Sequence, residues 1–275
     1  METLHAESCE TAASEFCLKI KDLFHIYRTK KGDSIEALVD INLSVAKSEF
    51  ITIVGPSGCG KSTLLKILGG LLSPSKGEIV LMDSPLRGPR REVGIVFQDP
   101  VLLPWKTVLQ NLMLPIEVFD LNKNDYAERA QALIKLVGLE GFENKYPFEL
   151  SGGMQQRNAI TRALIHDPAV LLMDEPFGAL DAMTREIMNL EILRIWTESK
   201  KTVLFVTHSI PEAVFLADRV IVLSARPGRI VRDFKVTLGR PRNLDMMGTD
   251  RFGSMVKEIR GIFGLKSLEF KGGMD

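Results

Sequence analysis

Hydrophobic and polar residues alternate in the first third of the chain, which is typical of half-buried β-strands. Phe16–Tyr27 and Ala37–Val45 show this alternation in part, so we expect one face of each strand to pack on a core. Phe50–Val54 is instead a continuous apolar run, which indicates a strand covered on both faces. After a glycine-rich stretch, the pattern predicts a helix at Lys61–Leu68 and strands at Gly77–Met82 and Val93–Phe97.

The middle of the chain changes to helical spacing. Apolar residues recur every three or four positions in Val108–Phe119, Asp125–Val137 and Ser151–His166, as they do in amphipathic helices. Strand-like patterns nearly disappear here. We therefore predict a helical subdomain inserted at about residues 99–167.

Strands and helices alternate again after this insert, which predicts a mainly parallel sheet flanked by helices. The predicted fold class is α/β, with an antiparallel β region on the N-terminal side. The remaining predicted elements are strands at Val170–Met173, Thr202–Val206 and Arg219–Leu223, and helices at Met183–Ser199, Pro211–Ala217 and Ser254–Phe263.

The same pattern suggests three parts. Residues 1–15 carry four glutamates and no apolar core, so we expect a disordered extension and not a secretion signal. Residues 16–238 would form the main domain. The charged and glycine-bearing residues 239–275 would form a C-terminal helical tail.

Composition narrows the function classes. The 275 residues are 45% hydrophobic and 25% charged, with 35 basic and 35 acidic side chains. This zero net charge disfavours a general nucleic-acid binder. Cys9, Cys17 and Cys59 have no metal-ligand spacing, which favours a reduced, intracellular protein. No apolar run approaches the ~20 residues that cross a bilayer, so we expect any membrane role to depend on a partner.

A phosphate-binding loop follows the strand Phe50–Val54. Gly55–Ser62 fits the pattern G-x-x-x-x-G-K-[ST] between a predicted strand and a predicted helix, the context that supports the match. Glycines let successive backbone N–H groups point at phosphate oxygens, and the helix N-terminus adds a positive dipole. The alternative is a glycine-rich turn with a solvated lysine. The predicted nucleotide-binding residues here are Gly55, Pro56, Ser57, Gly58, Cys59, Gly60, Lys61, Ser62 and Thr63, with Lys61 on the β- and γ-phosphates and Ser62 on Mg²⁺.

Two acids end a later buried strand, Leu171–Glu175. Asp174 is predicted to hold the Mg²⁺ shell, and Glu175 to orient or deprotonate the attacking water. The alternative is a strand that runs out of the core into solvated acids.

Leu150–Gly153, with the sequence Leu-Ser-Gly-Gly, identifies the family. With the phosphate loop before it and Asp174–Glu175 after it, the chain resembles the ATPase subunit of ATP-binding cassette (ABC) transporters over about Leu18–Asp233. The resemblance implies a P-loop NTPase core and a homodimer that sandwiches two ATP molecules. Ser151, Gly152 and Gly153 would face the γ-phosphate held by the other copy. The alternative is a capped helix start and nothing more.

Further family positions follow from this resemblance, each with a plainer alternative. Tyr27 would stack on adenine, or be a core aromatic at a strand end. Gln98 would approach Mg²⁺ and the water, or be a solvated amide. Asp181 would cross the dimer seam, or cap a helix. His208 would touch the γ-phosphate, or be a core histidine. Met154 departs from the family, which usually has glutamine there; we expect little loss of function.

The branch and its partners are also implied by resemblance. Leu102–Val108 and Glu175–Arg185 are similar to nitrate, sulfonate and taurine importers. Pro104 and Trp105 would lie where a permease helix docks, although they would also suit an ordinary subdomain core. The resemblance implies integral-membrane permease subunits, indirectly a periplasmic solute-binding protein, and a peripheral place on the cytoplasmic face of the bacterial inner membrane.

The main alternative is a soluble, non-transport cassette ATPase such as an iron–sulfur assembly factor, because a fold does not fix a function. DNA-repair and chromosome-organising members place a long coiled coil where this chain has a compact insert. Translation-type members carry two cassettes, whereas this chain has one. An unrelated phosphate-loop kinase would have no reason to carry Ser151–Gly153 and His208.

Overall fold

The structure is a computed structural model that describes residues 15–28, 33–178 and 180–264. The disordered extension predicted for residues 1–15 lies outside the described residues except for Glu15. The part of the predicted tail that follows Gly264 also lies outside them.

The described β-strands form two sheets. They match the predicted strands closely where an apolar run ends at glycine or turn residues. The strands are β1 Phe16–Arg28, β2 Ser34–Ala46, β3 Phe50–Val54, β4 Lys76–Leu81, β5 Ser84–Pro85, β6 Val93–Val96, β7 Val170–Asp174, β8 Thr202–Val206, β9 Arg219–Leu223 and β10 Ile230–Lys235.

The larger sheet has the strand order β10–β9–β3–β8–β7–β6. All neighbouring strands are parallel except β10, which pairs antiparallel with β9. The prediction of a mainly parallel sheet is confirmed. Because the carboxyl ends of parallel strands share one edge, the residues that follow β3, β8, β7 and β6 lie together there.

The smaller sheet is antiparallel and confirms the predicted antiparallel region. Its order is β2–β1–β4–β5. Ile20 of β1 pairs with Leu43 of β2 on one side and with Ile79 of β4 on the other. All four strands of this sheet therefore come from the first third of the chain, before the insert.

The helices lie on both faces of the larger sheet and in the insert. They are α1 Lys61–Leu68, α2 Val108–Leu112, α3 Leu114–Val118, α4 Ala127–Leu136, α5 Gly152–Leu164, α6 Ala182–Ser199, α7 Ile210–Leu216 and α8 Asp250–Ile262, with short 3-10 helices at Lys123–Tyr126, Pro147–Glu149 and Leu244–Gly248. Within the described ranges, none of the helices combines the length and the apolar character that crossing a bilayer requires.

Alternate residues of the central strands enter two separate cores. Phe50 and Val54 of β3 belong to the core shared with α2 to α8. Ile51 and Ile53 belong to the core shared with α1 and the smaller sheet. This period of two on a strand buried on both faces explains the continuous apolar run. Burial of each such side chain contributes about 1.5–3 kcal/mol.

The helical spacing at Val108–Phe119 is divided between two short helices. The segment forms α2 and α3, with Met113 between them. Pro115 is the physical reason, because proline has no N–H to donate and its ring clashes with the preceding turn. The helix predicted from Asp125 begins as a 3-10 helix and becomes α4 at Ala127.

The C-terminal helix begins earlier than predicted. It starts at Asp250, and the Thr249 hydroxyl caps it by accepting a hydrogen bond from Phe252 N at 3.4 Å. Its buried residues are Phe252, Met255, Val256 and Ile259, spaced as on one helical face. They join the core that contains Phe50, so α8 packs on the main domain.

Replacing Ile259 with alanine should lower the free energy of unfolding by about 2–4 kcal/mol, because it removes a fully buried side chain and leaves a cavity. Urea denaturation followed by circular dichroism measures this change. Lys257→Ala, at an exposed position of the same helix, is the control and should change little. Equal stability of the Ile259 variant and the native chain would mean that α8 does not share the core.

Glu212 is a buried acid in the first turn of α7, with only 6% of its surface exposed. Thr207 Oγ1 donates a hydrogen bond to Glu212 Oε2, but Oε1 has no hydrogen-bond partner in the described structure. Desolvation by burial raises the pKa of Glu212 above its usual value, and the Thr207 hydrogen bond opposes it in part. The folded state therefore keeps this proton up to a higher pH than the unfolded state does. The free energy of unfolding falls as the pH rises from the ordinary glutamate pKa through the raised pKa of folded Glu212.

Glu212→Gln should stabilise the protein by about 1 kcal/mol at pH 8, because it removes a charge that is poorly solvated. The gain should shrink as the pH is lowered through the raised pKa of folded Glu212 toward the ordinary glutamate pKa, because the native side chain is then protonated and neutral. Urea unfolding at a series of pH values measures it, with exposed Glu186→Gln as control. A stability gain that is independent of pH would contradict the raised pKa.

Candidate active site

The loop between β3 and α1 lies at the carboxyl edge of the larger sheet. Gly58 and Gly60 have φ values of 74° and 104°, a region that glycine enters without strain. A Cβ on Gly60 would lie 2.9 Å from the Ala37 carbonyl oxygen, so no larger residue fits. Helix α1 begins directly after the loop, and its N-terminus adds a positive partial charge. The loop therefore has the form of a cradle that suits an anion.

Lys61 is the buried cation of this cradle, with 5% of its surface exposed. Its Nζ donates hydrogen bonds to the carbonyl oxygens of Gly55 at 2.9 Å and Pro56 at 3.2 Å. The same Nζ lies 4.0 Å from Glu175 Oε1. Lys61 is thus held by the loop and faces the predicted water-activating acid.

Cys59 differs from the rest of the loop because its side chain is buried in the core. Burial raises the pKa of its thiol. Only the backbone of Cys59 is placed to meet a ligand, so the thiol has no part in the cradle.

Ser62 and Asp174 bring two oxygen atoms together. The Ser62 hydroxyl donates to Asp174 Oδ1 at 3.0 Å. Burial raises the pKa of Asp174, and the Ser62 hydrogen bond opposes this effect. A desolvated carboxylate beside a hydroxyl is a donor set that suits Mg²⁺, which binds protein carboxylates together with substrate phosphates. Ser62 and Asp174, two of the three residues predicted to meet Mg²⁺, therefore fit the ion.

Glu175 adopts an uncommon backbone conformation. Its φ is 44°, and such left-handed values are rare for residues other than glycine, asparagine and aspartate. Its N–H is held by the Val206 carbonyl oxygen at 3.0 Å. Strained residues of this kind are concentrated at functional sites. The conformation turns Glu175 away from the strand direction of Asp174, as expected for an acid with a separate role.

His208 follows β8 and Gln98 follows β6, the two strands that flank β7 in the larger sheet. His208 Nδ1 lies 3.0 Å from Glu175 Oε2, so His208 is not a core histidine. Gln98 is exposed after β6, and its Nε2 lies 3.5 Å from where a Cβ on Gly178 would be. Glu175 thus contacts both Lys61 and His208, and Gln98 lies beside Gly178 in the turn that follows Glu175.

A cavity of about 360 Å³ opens over the cradle. Tyr27 lies at its wall, where its hydroxyl is 3.1 Å from Thr63 Oγ1 and 40% of the residue is exposed. Tyr27 is therefore not a core aromatic. The residues that line the cavity are Tyr27, Ile35, Ala37, Ser57, Gly58, Gly60, Lys61, Ser62, Thr63, Glu175 and Arg226.

The Leu-Ser-Gly-Gly segment does not line this cavity. Ser151 is the N-cap of α5, and its hydroxyl accepts a hydrogen bond from Met154 N at 3.3 Å. Ser151 and Gly152 are exposed, while Gly153 lies beside Thr184. Within one chain the segment is an exposed, capped helix start. Its predicted contact with a phosphate on another copy stays a prediction.

Asp181 is likewise a helix cap. It caps α6 by accepting hydrogen bonds from Thr184 N at 3.0 Å and from the Thr184 hydroxyl at 2.6 Å. These bonds hold the pKa of Asp181 below its usual range. The predicted alternative, a helix cap, is present; a role across a dimer seam stays a prediction.

Sequence reasoning missed Arg226, Ile35 and Ala37 as cavity residues. Arg226 follows β9, and its Nε donates to the Gly58 carbonyl oxygen at 3.2 Å. The segment Arg226-Pro227-Gly228 signals a turn. Nothing local connects that turn to the cradle, which lies 168 positions away.

Comparisons with known proteins agree with this geometry. The model of the ABC transporter family matches residues 38–178. An uncharacterised ABC transporter ATP-binding protein of Methanocaldococcus jannaschii is 53% identical over 92% of this chain and 94% of its own length. The aliphatic sulfonates import ATP-binding protein SsuB of Bacillus thuringiensis subsp. konkukian is 44% identical over 79% of this chain and 85% of its own length.

A solved structure of similar fold is the dimeric post-hydrolysis state of the ATP-binding cassette MJ0796 bound to ADP and Pi. It superposes with a TM-score of 0.71 at 35% identity and covers 81% of this chain and 100% of that chain. These matches span both the cradle and the two acids. The chain therefore belongs to the ABC transporter family and is an ATP-hydrolysing cassette of that family.

Proposed function

We propose that the chain is the ATPase subunit of a bacterial importer for a small anionic or polar solute such as nitrate, a sulfonate or taurine. ATP hydrolysis is supported most directly by one observation. Glu175 contacts both Lys61 and His208 at the mouth of the glycine-lined cradle. The solute class is supported by the 44% identity to a sulfonate import subunit and by the branch-like segments Leu102–Val108 and Glu175–Arg185.

ATP is the substrate of this cavity. The backbone of Gly55–Gly60 and the ammonium group of Lys61 bind its phosphates, and Tyr27 meets the adenine. Ser62 and Asp174 would hold Mg²⁺, with Gln98 close to it, and the ion would supply positive charge that neutralises the phosphates. Glu175 accepts a proton from the attacking water. His208 keeps the Glu175 carboxylate oriented through its Nδ1 contact and meets the γ-phosphate.

A second copy of the chain completes the site. Ser151, Gly152 and Gly153 present bare N–H groups at the exposed start of α5, a position that favours an anion. We propose that they close over the γ-phosphate of the other copy, with Asp181 at the seam. Closure and reopening would alternate with ATP binding and hydrolysis and so drive the attached permease.

The permease contact is supported by the segment that carries Trp105. Trp105 is 70% exposed, which disfavours a core role, and tryptophan is enriched at protein interfaces. Asn111 fixes this segment from inside, since its side chain accepts from Leu103 N at 2.8 Å and donates to the Lys106 carbonyl oxygen at 2.8 Å. Trp105 is thus presented on a braced loop, as a docking residue would be.

The proposed location follows from these partners. The subunit would be peripheral, bound to integral-membrane permease subunits on the cytoplasmic face of the inner membrane and linked through them to a periplasmic solute-binding protein. No nucleic acid is involved. The three proteins compared above carry transporter, import or cassette names, and none is named for iron–sulfur assembly, so the importer is the better supported function.

Glu175→Gln should bind ATP but lower steady turnover by about 10²–10⁴-fold, because the amide cannot take the proton of the water. The trapped ATP state should also accumulate as a dimer. Phosphate release and light scattering measure the two effects. Glu140→Gln, at an exposed position of the insert, is the control. Unchanged phosphate release would remove Glu175 from the catalytic role.

Lys61→Ala should weaken ATP binding by about 10- to 100-fold, the loss expected for charged hydrogen bonds to phosphate. Isothermal titration calorimetry measures the affinity. Lys66→Ala is the matched control, since Lys66 lies on the same helix but is exposed and does not line the cavity. Normal affinity in the Lys61 variant would count against the cradle.

A further inference from the structure

Arg226 is a cavity residue whose charge has no acidic partner among the residues that the structure describes. Its Nε donates to the Gly58 carbonyl oxygen, and its two terminal nitrogens make no hydrogen bond or ion pair with any residue that the structure describes. Arg226 is exposed, so these nitrogens are accessible from the cavity. A guanidinium is charged at every physiological pH and offers several donors in a fixed plane.

The loop that carries Arg226, residues 224–229, is packed against the cradle. Gly228 N donates to the Ala37 carbonyl oxygen at 2.9 Å, and the Gly228 carbonyl oxygen accepts from Val39 N at 3.0 Å. A Cβ on Gly228 would lie 2.1 Å from the Cys59 carbonyl oxygen, so a glycine is required for this close approach. The loop is therefore fixed to β2 and to the cradle at once.

The loop is also braced from within. The Ser224 hydroxyl accepts a hydrogen bond from Arg229 N at 3.0 Å, and Ser224 N donates to the Arg229 carbonyl oxygen at 2.9 Å. The side chain of Arg226 thus extends from a rigid base. Little conformational entropy of the backbone remains to be lost when a ligand binds beside it.

The charges that line the cavity identify the ligand group. Among the lining residues, Lys61 and Arg226 are cations and Glu175 is an anion. Lys61 already contacts Glu175 and the carbonyl oxygens of the loop. Arg226 is therefore the lining cation without a carboxylate partner, and it lies against Gly58, in the part of the cavity built to hold phosphate.

We propose that Arg226 is a further nucleotide-binding residue whose terminal nitrogens contact the phosphates of bound ATP while its Nε stays on Gly58. This inference rests on the proposed function of the cradle as the ATP site. The guanidinium would join the loop and the nucleotide, and so add a charged hydrogen bond on the side of the phosphates that faces residues 224–229.

Two substitutions at Arg226 distinguish the effect of its charge from the effect of its hydrogen bond to Gly58. Arg226→Gln removes the charge but keeps an N–H donor for the Gly58 carbonyl oxygen, and Arg226→Lys keeps the charge. Arg229→Gln is the matched control, because Arg229 belongs to the same loop but does not line the cavity. Thermal unfolding of the three unliganded variants should match that of the native chain.

Calorimetry with ATP measures the effect. We expect about tenfold weaker binding for Arg226→Gln, the loss of one charged hydrogen bond, native-like binding for Arg229→Gln, and an affinity between these two for Arg226→Lys, which keeps the charge but loses the Nε bond to Gly58. The affinity of Arg226→Gln should also depend less steeply on NaCl concentration, since one fewer charge faces the phosphates. A merely structural role at Gly58 would spare Arg226→Gln and leave its salt dependence unchanged.

The measurements distinguish an error in the Arg226 proposal from an error in the assignment of the cradle as the ATP site. If Lys61→Ala binds ATP poorly and Arg226→Gln binds it as the native chain does, the Arg226 proposal is wrong and the cradle stands. If both variants bind ATP normally, both proposals are wrong.

Discussion

The site depends on the burial of one positive charge at the carboxyl edge of a parallel sheet. Lys61 is almost fully covered, and its ammonium group is stabilised by the carbonyl oxygens of Gly55 and Pro56. A buried charge is costly unless it is paired and hydrogen-bonded. The curled loop supplies these partners, which ties its glycine-rich backbone to the lysine that follows it. The same ammonium group lies near Glu175, so the loop and the acid are coupled electrostatically.

Strand order explains why residues far apart in the chain meet at this edge. Strand β8 lies between β3 and β7 in the larger sheet, so the segments after β3 and β7 flank the one that carries His208. Side chains from three strands therefore converge without a long loop. The insert leaves this arrangement undisturbed because it enters between β6 and β7, at the far end of the strand order.

Much of the fold and of the candidate site could be predicted from the sequence. This holds wherever the residues that determine a feature are close together in the chain. The bounds of β3, α1, β8 and β9 match the predictions because an apolar run or a glycine-rich turn marks them. The helical character of Val108–Phe119 was predictable from its spacing, whereas its division into α2 and α3 is explained by Pro115. Strand β10 was missed since it has no regular alternation and forms by pairing with β9. Arg226 was missed because its contact with Gly58 is long-range. The pairing of β10 and the position of Arg226 both depend on tertiary contacts, which the local sequence does not show.

We propose that the cradle of one copy and the Ser151 helix start of another enclose the same triphosphate. A crystal structure with Mg²⁺ and a nonhydrolysable ATP analogue tests it most directly. We expect Lys61 Nζ to lie on the β- and γ-phosphates and Ser151 of a second copy to lie on the γ-phosphate. A nucleotide bound away from Gly55–Ser62, or a γ-phosphate that no second copy approaches, would contradict it.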